Sequence, residues 1–176
     1  MNYTDFFYFP TIYIKIVCLG EIKMSERFKP FATVALIIEH DNRFLMVEEK
    51  DEYGKTVFGM PSGHIDGKEG IIEAALREGF EETGCEVELT ALTGIYDYVK
   101  DYETIYRFCF AAKLKRIPQN LKAQDPDGEI LAVRWYTKEE IYARKDAWRT
   151  RLVGLCMRDY FDNHRFPLSL IEKVVP

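Results

Sequence analysis

Between residues 63 and 85 the chain runs from a glycine-rich loop into a segment of helical period. The loop is Gly59-Met60-Pro61-Ser62-Gly63-His64-Ile65-Asp66-Gly67. A helix is expected from about Gly70 to Thr83, stopped by Gly84, the residue type favoured just past a helix end. At about 100° per residue, Ile72, Ala75, Leu76, Gly79 and Thr83 share one face. Glu78, Glu81 and Glu82 fall on the other at i, i+3 and i+4, spacings that make residues neighbours on a helix surface. Three carboxylates are therefore forced together, in the last turns, where the helix dipole already disfavours negative charge. Each like-charged pair costs roughly a few tenths of a kcal/mol if nothing compensates it.

A solvated acidic face is the ordinary reading of a Glu-rich helix. Here the preceding glycines let backbone come close to a phosphate chain, and Gly79 lets the helix sit close against a sheet. These features turn the reading toward a cation site. An all-oxygen donor set suits magnesium or manganese, and not zinc or copper.

The rest of the chain supplies the frame. Thr33 to Glu39 reads as a buried strand, His40-Asp41-Asn42 as a turn, and Arg43 to Glu49 as a returning strand. Asp51 to Lys55 is a polar loop. Further strands are expected at Glu86 to Tyr98, Tyr106 to Leu114 and Ile130 to Tyr136. Thr137 and Glu140 have capping-box spacing, so a short helix should begin there. Trp148 to Asp162 reads as a second long amphipathic helix, with Trp148, Leu152, Leu155, Cys156 and Tyr160 on its apolar side. Strands, helix, strands, helix in that order give an α/β fold, a mixed sheet sandwiched between helices.

A length of 176 residues fits one such domain. With 24 basic and 29 acidic residues the formal charge is −5, which argues against a surface for nucleic-acid polymers. A phosphorylated small molecule remains compatible if a metal brings the positive charge. Cys18, Cys85, Cys109 and Cys156 are not spaced as a zinc site or a redox pair, and are read as reduced thiols of a cytoplasmic protein. Residues 1–23 form an N-terminal extension ahead of a domain over 24–176, with Met24 as the native start. The extension is expected to be dispensable; an added edge strand or a partner-binding arm is the alternative. Its apolar stretch, Phe6 to Ile14, is interrupted by Pro10, is followed by Lys15 and lacks a basic leader. It is also far shorter than the roughly 20 residues that span a membrane.

The box itself resembles a known family. Gly63, five residues, Glu69, seven residues, Arg77-Glu78, two residues, Glu81-Glu82, one residue, Gly84 and apolar Cys85 look like the Nudix box. One position departs, Gly79, where the family usually carries an aliphatic residue. The resemblance implies the Nudix fold, with the box as loop-helix-loop. It implies that Glu78, Glu81 and Glu82 are metal-binding carboxylates, that the Gly63 carbonyl completes the metal site, and that Glu69 and Arg77 brace loop against helix. Arg27-Phe28-Lys29-Pro30, Pro61-Ser62-Gly63-His64, Arg107-Phe108 and Arg165-Phe166-Pro167-Leu168 are similar to the bacterial phosphatase-type, NudJ-like branch. That branch implies Mg2+-dependent release of orthophosphate from nucleoside tri- and diphosphates, and from the pyrophosphate ester of the thiamine pyrimidine precursor. Mn2+ is an expected substitute.

Several residues carry two readings. Glu129 is a further metal ligand or catalytic base, or a loop carboxylate of the acidic run Asp125, Asp127, Glu129. His64 touches substrate phosphate or packs on its loop. Tyr98, like Tyr96, Tyr102 and Tyr106, stacks on a base or is a packing residue. Arg107 binds phosphate or is solvated, and Trp135 is core. Two other functions stay open: a nucleotide pyrophosphohydrolase, MutT-like or acting on nucleotide sugars, and a non-catalytic Nudix-like binding module. The presence of every box carboxylate weighs against the last.

Overall fold

The computed structural model describes residues 13–16, 22–25 and 28–174. The chain divides into a unit over Met1–Pro30 and a larger one over Phe31–Pro176. In the first, β1 (Tyr13–Ile16) and β2 (Ile22–Ser25) pair antiparallel. The expected boundary at Met24 thus falls inside a strand. Most of the apolar stretch from Phe6, and Cys18, lie outside the described residues.

The larger unit is built on a seven-stranded mixed sheet. Its strands are β3 (Phe31–His40), β4 (Arg43–Lys50), β5 (Thr56–Gly59), β6 (Ser62–His64), β7 (Val87–Val99), β8 (Thr104–Leu114) and β9 (Ile130–Tyr136). β3 pairs in parallel with β8 and antiparallel with its other partners. The β3–β4 turn is tight because Asp41 and Asn42 both take positive φ, 50° and 59°. These are the residue types that tolerate that region outside glycine.

β3 and β4 stay paired only at Glu39–Phe44 and His40–Arg43. β4 then leaves to pair with β5 and β9, and β6 takes its place against Thr33–Ala35. Leu36 N–H donating to Pro61 O at 2.9 Å and Ile65 N–H to Ala32 O at 3.0 Å lock the glycine-rich loop into that gap. The splay between the two halves of the sheet opens the cleft described below.

On one face, helix α1 (Ile71–Thr83) packs through Ala74 and Ala75 on Val34, Leu36, Ile38, Leu45 and Phe110. Gly79 is what allows this approach, since a Cβ there would stand 2.9 Å from Leu36 Cδ2. The departure from an aliphatic residue is accommodated by the bulk of Leu36. Gly84 ends the helix at φ 69° with its N–H on Phe80 O. The helix is rolled further toward its acidic side than the residue wheel predicts. Glu78 and Glu82 are buried with Gly79 and Thr83, whereas Leu76 and Phe80 are exposed. The cause is that the acidic side covers the gap occupied by β6.

The other face carries α2 (Lys138–Ala143), with both capping-box hydrogen bonds of Thr137 and Glu140 formed, and α3 (Leu152–Phe161). Val153, Cys156 and Met157 of α3 pack on Ala35, Ile37, Cys109 and Met60. Cys85, Cys109 and Cys156 are buried free thiols. The long helix expected from Trp148 starts four residues later. Trp148 forms a parallel bridge to Phe58, and Arg149 N–H donates to Phe58 O at 2.9 Å, so this stretch lies along β5. Just ahead of the helix, Thr150 Oγ1 accepts from Leu152 N–H, the first helical residue, at 3.2 Å.

Candidate active site

The box helix, the β6 loop, the end of β4 and the loop over residues 125–130 enclose a cleft of about 320 Å³. Gly63, His64, Glu78, Glu81, Glu82 and Glu129 all line it, so these positions, read from sequence, are brought together. Glu69 stands behind the wall, holding Arg77.

Arg77 organises the wall. Its Nε and Nη2 donate to the two Glu69 oxygens at 3.1 and 2.6 Å, and Nη2 also donates to His64 O at 2.9 Å. Nη1 donates to Glu78 Oε1 and Glu81 Oε2, each at 2.9 Å. All five guanidinium N–H groups are therefore engaged. Glu69 also accepts Asp66 N–H at 2.7 Å, so the brace ties loop to helix through one carboxylate. The Arg77 hydrogen bonds hold the Glu69 carboxyl below the usual carboxylate range, and Glu69 in turn pushes the Arg77 guanidinium up.

The floor is different in character. The Glu78 carboxylate lies against the Gly63 backbone so closely that a Cβ on Gly63 would meet it at 2.2 Å. Glycine is required here for space and not for φ. Burial pushes the Glu78 carboxyl up, in spite of Arg77. Glu82 is deeper. It accepts Ser62 N–H at 2.8 Å, and burial, reinforced by Glu49 and Glu78, pushes it up to about 8. A carboxyl as desolvated as Glu82 holds its proton at neutral pH unless a cation compensates it.

This clustering of hard oxygen donors, together with the Gly63 backbone, is the chemistry a divalent cation requires. Among the described residues, no three His, Cys, Asp or Glu side chains already converge as a closed cage. Arg77 Nη1 occupies the space between Glu78 and Glu81 instead.

Two sequence expectations are corrected by placement. Arg107 does not line the cleft. It is buried beside Cys109 and Cys156, with Nε donating to Thr33 Oγ1 at 3.2 Å, because its β8 position faces α3. Tyr98 lines a second hollow between β7 and the start of α3, with Lys100 over its ring, and takes no part in the acidic cleft. Tyr96 reaches Asp159 through its hydroxyl at 2.8 Å and packs in the α3-side core. His64 touches Phe31 edge-on at 5.6 Å between ring centroids while still reaching the cleft.

Three contributions escaped the sequence. Glu49 is 4% exposed at the inner end of β4, and burial pushes its carboxyl up. Its signal was present: two successive glutamates close an apolar strand, and alternation sends one of them inward. Arg149 Nη1 pairs with Glu49 Oε1 at 2.9 Å from the segment read as helix. Asp125 gathers the backbone N–H groups of Asp127, Glu129 and Ile130, which sets the loop that carries Glu129.

A mixed sheet between helices, with a loop-helix-loop of carboxylates over a split in that sheet, defines a hydrolase of the Nudix type. Residues 29–154 match the NUDIX domain, and the chain belongs to that family. It is similar to phosphatase NudJ of Escherichia coli K12, with 34% identity over 145 residues that cover 82% of this chain and 92% of that one. Its fold matches a Nudix hydrolase from Nitrosomonas europaea at a TM-score of 0.76 and 34% identity, over 83% of this chain and 98% of the other. A bifunctional NMN adenylyltransferase/ADP ribose pyrophosphatase from Francisella tularensis, complexed with AMP and a manganese ion, shares the fold. Its TM-score is 0.59 at 23% identity, over 77% of this chain and 42% of that protein.

Proposed function

We propose that this hydrolase cuts phosphate anhydride bonds in nucleoside tri- and diphosphates with the help of Mg2+ or Mn2+, and that it releases orthophosphate. The observation that carries this reading is the cleft floor: Glu78 buried against the Gly63 backbone and Glu82 buried on Ser62 N–H, with Glu81 and Glu49 lining the same cleft. The kinship to a phosphatase directs it to orthophosphate release, and extends the substrate class to other pyrophosphate esters, including that of the thiamine pyrimidine precursor.

Glu78, Glu81, Glu82 and the Gly63 carbonyl would hold the metal. Bound there, a divalent ion supplies charge against the phosphate chain and acidifies a water molecule. Arg77 keeps Glu78 and Glu81 in a fixed orientation. Glu78, made more basic by burial, and Glu129, on the opposite loop, are the candidate acceptors of the water's proton. His64 would hold the terminal phosphate by a charge-assisted hydrogen bond.

Two measurements test this reading. A ligand that binds only the folded state at a hundred times its Kd stabilises it by about 2.7 kcal/mol. Mg2+ or Mn2+ should therefore raise Tm by roughly 5–10 °C for a domain of this size. Turnover should vanish in excess chelator, and full activity there would remove the metal from the scheme. Phosphorus NMR at early times, without added pyrophosphatase, should show orthophosphate and nucleoside diphosphate from a triphosphate, then orthophosphate from the diphosphate. Pyrophosphate as the sole first product would instead assign a pyrophosphohydrolase.

A further inference from the structure

We propose that Arg149 is a further phosphate contact of the cleft, beside His64 and held ready by Glu49. This rests on the anhydride-hydrolase reading above and names a substrate contact that the box does not supply.

The cleft is strongly acidic. Glu49, Asp66, Asp125, Asp127 and Glu129 line it together with the three box glutamates. A polyphosphate entering such a wall needs positive charge beyond that of the metal site. Arg77 cannot give it, since its five N–H groups are already engaged. Arg149 is the other arginine in the lining, and its side chain is 42% exposed. Its Nη1 stands 2.9 Å from Glu49 Oε1, off hydrogen-bond geometry, so that Oε1, although buried, keeps no hydrogen-bond partner among the described residues. The fork thus retains donors that can be offered to an incoming anion. A planar guanidinium suits a phosphate because it can present two parallel N–H groups to it.

The backbone that carries Arg149 is pinned. Trp148 Nε1 donates to Ile141 O at 3.2 Å, and its ring lies so close to Gly154 that a Cβ there would meet it at 2.3 Å. Tyr142 packs on the same ring edge-on, at 5.7 Å between centroids. Arg149 N–H is bonded to Phe58 O on β5. A helix beginning at Trp148 would have lost that bond; the extended stretch lays residue 149 along β5, across the cleft from the box helix. Glu49, on the neighbouring strand β4, keeps the fork directed into the cleft while no phosphate is present. Arrival of a phosphate exchanges a single ion pair for a two-pronged contact.

The test uses the full chain, with adenosine diphosphate and Mg2+. In Arg149→Met, KM should rise tenfold or more while kcat changes less than threefold. Tm should fall in Arg149→Met, because the buried Glu49 loses its ion-pair partner, and the Mg2+ concentration for half-maximal rate should not rise. Orthophosphate as product inhibitor should weaken by a similar factor. Arg149→Lys, which keeps the charge and loses the fork, should fall between. An unchanged KM would overturn the proposal. So would a loss of kcat and Tm together in both variants, which would assign Arg149 a structural role at the Trp148 corner. If the wild type fails to hydrolyse adenosine diphosphate, the functional reading fails by itself. Calorimetric titration of that nucleotide then decides: a Kd tenfold weaker in Arg149→Met supports the contact, and equal Kd values sink it.

Discussion

Glu82→Gln should lower kcat by on the order of a hundredfold or more, the scale seen when one group stabilising transition-state charge is removed, while the metal-free protein becomes no less stable. The two halves of this result come from the same geometry. Glu82 sits at the floor of the cleft with its carboxylate on Ser62 N–H. A glutamine keeps a carbonyl oxygen for that N–H, so the loop stays attached to the helix. The negative charge is what is lost. A carboxyl whose folded-state pKa lies above its unfolded value subtracts stability as pH rises from the lower value to the higher. For Glu82 the interval runs from the ordinary 4.5 to about 8. In chelator, the wild type should therefore melt progressively lower across that interval, and the glutamine variant should show a smaller decline. With Mg2+ present the order reverses, because only the wild type gains the stabilisation of the bound ion. Melting curves at pH 5 and pH 8, with and without Mg2+, and a rate assay read both halves. Wild-type turnover in the variant would remove Glu82 from the metal site.

The parts of the site that sequence made legible are those encoded by local spacing. Three glutamates at i, i+3 and i+4 must meet on one helix, whatever the rest of the chain does. Gly84 had to stop that helix, and the Thr137–Glu140 box had to start the next. The strands over residues 31–50 and 130–136 were legible because their apolar runs end in turn residues. The family resemblance added roles, and the Glu69–Arg77–His64 brace in the structure has the geometry those roles require.

What was not legible depends on contacts between distant segments. No local rule says that β4 parts from β3 after two residue pairs, yet this separation seats the glycine loop and turns Glu49 inward. No local rule lays Trp148 along β5 either. Its helical spacing to Leu152, Leu155 and Cys156 is genuine, but the bridge to Phe58 and the bond to Ile141 O outweigh propensity, a weak prior that tertiary contacts override. Thr150 was the available signal, a cap-type residue two positions before the first helical turn. Arg107 shows the converse. An arginine within a strand can face water or the interior, and only the pairing of Thr33 with Arg107 across β3 and β8 sets it beneath α3.

Arg77→Ala should damage stability and kcat together, which separates it from every other substitution in the cleft. The guanidinium bridges Glu69, Glu78 and Glu81, and the side chains of Glu69 and Glu78 are mostly buried. Removing it leaves three carboxylates facing one another without a counter-charge. Deleting one partner of a buried pair costs about 3–5 kcal/mol. The partial exposure of Arg77 and Glu81 brings the expectation to the low end, about 3 kcal/mol, by the weaker worth of solvent-screened pairs. His64 O and Glu69 also lose the donors that tie the glycine loop to the helix, so Gly63 and Glu78 lose their register. Catalysis should then fall further than a loss of folded protein explains. Denaturant unfolding gives the stability change, and kcat per folded molecule gives the rest. Arg77→Lys keeps a charge but can satisfy at most three of the five bonds, so it should recover part of the stability and little of the rate. If lysine restored both, the fork geometry would be irrelevant and the wall would be held by charge alone. Saturating Mg2+ should narrow the stability gap between wild type and alanine variant, since the ion neutralises two of the same carboxylates. A gap that widened with Mg2+ would show that Glu78 and Glu81 can reach the metal only when Arg77 presents them.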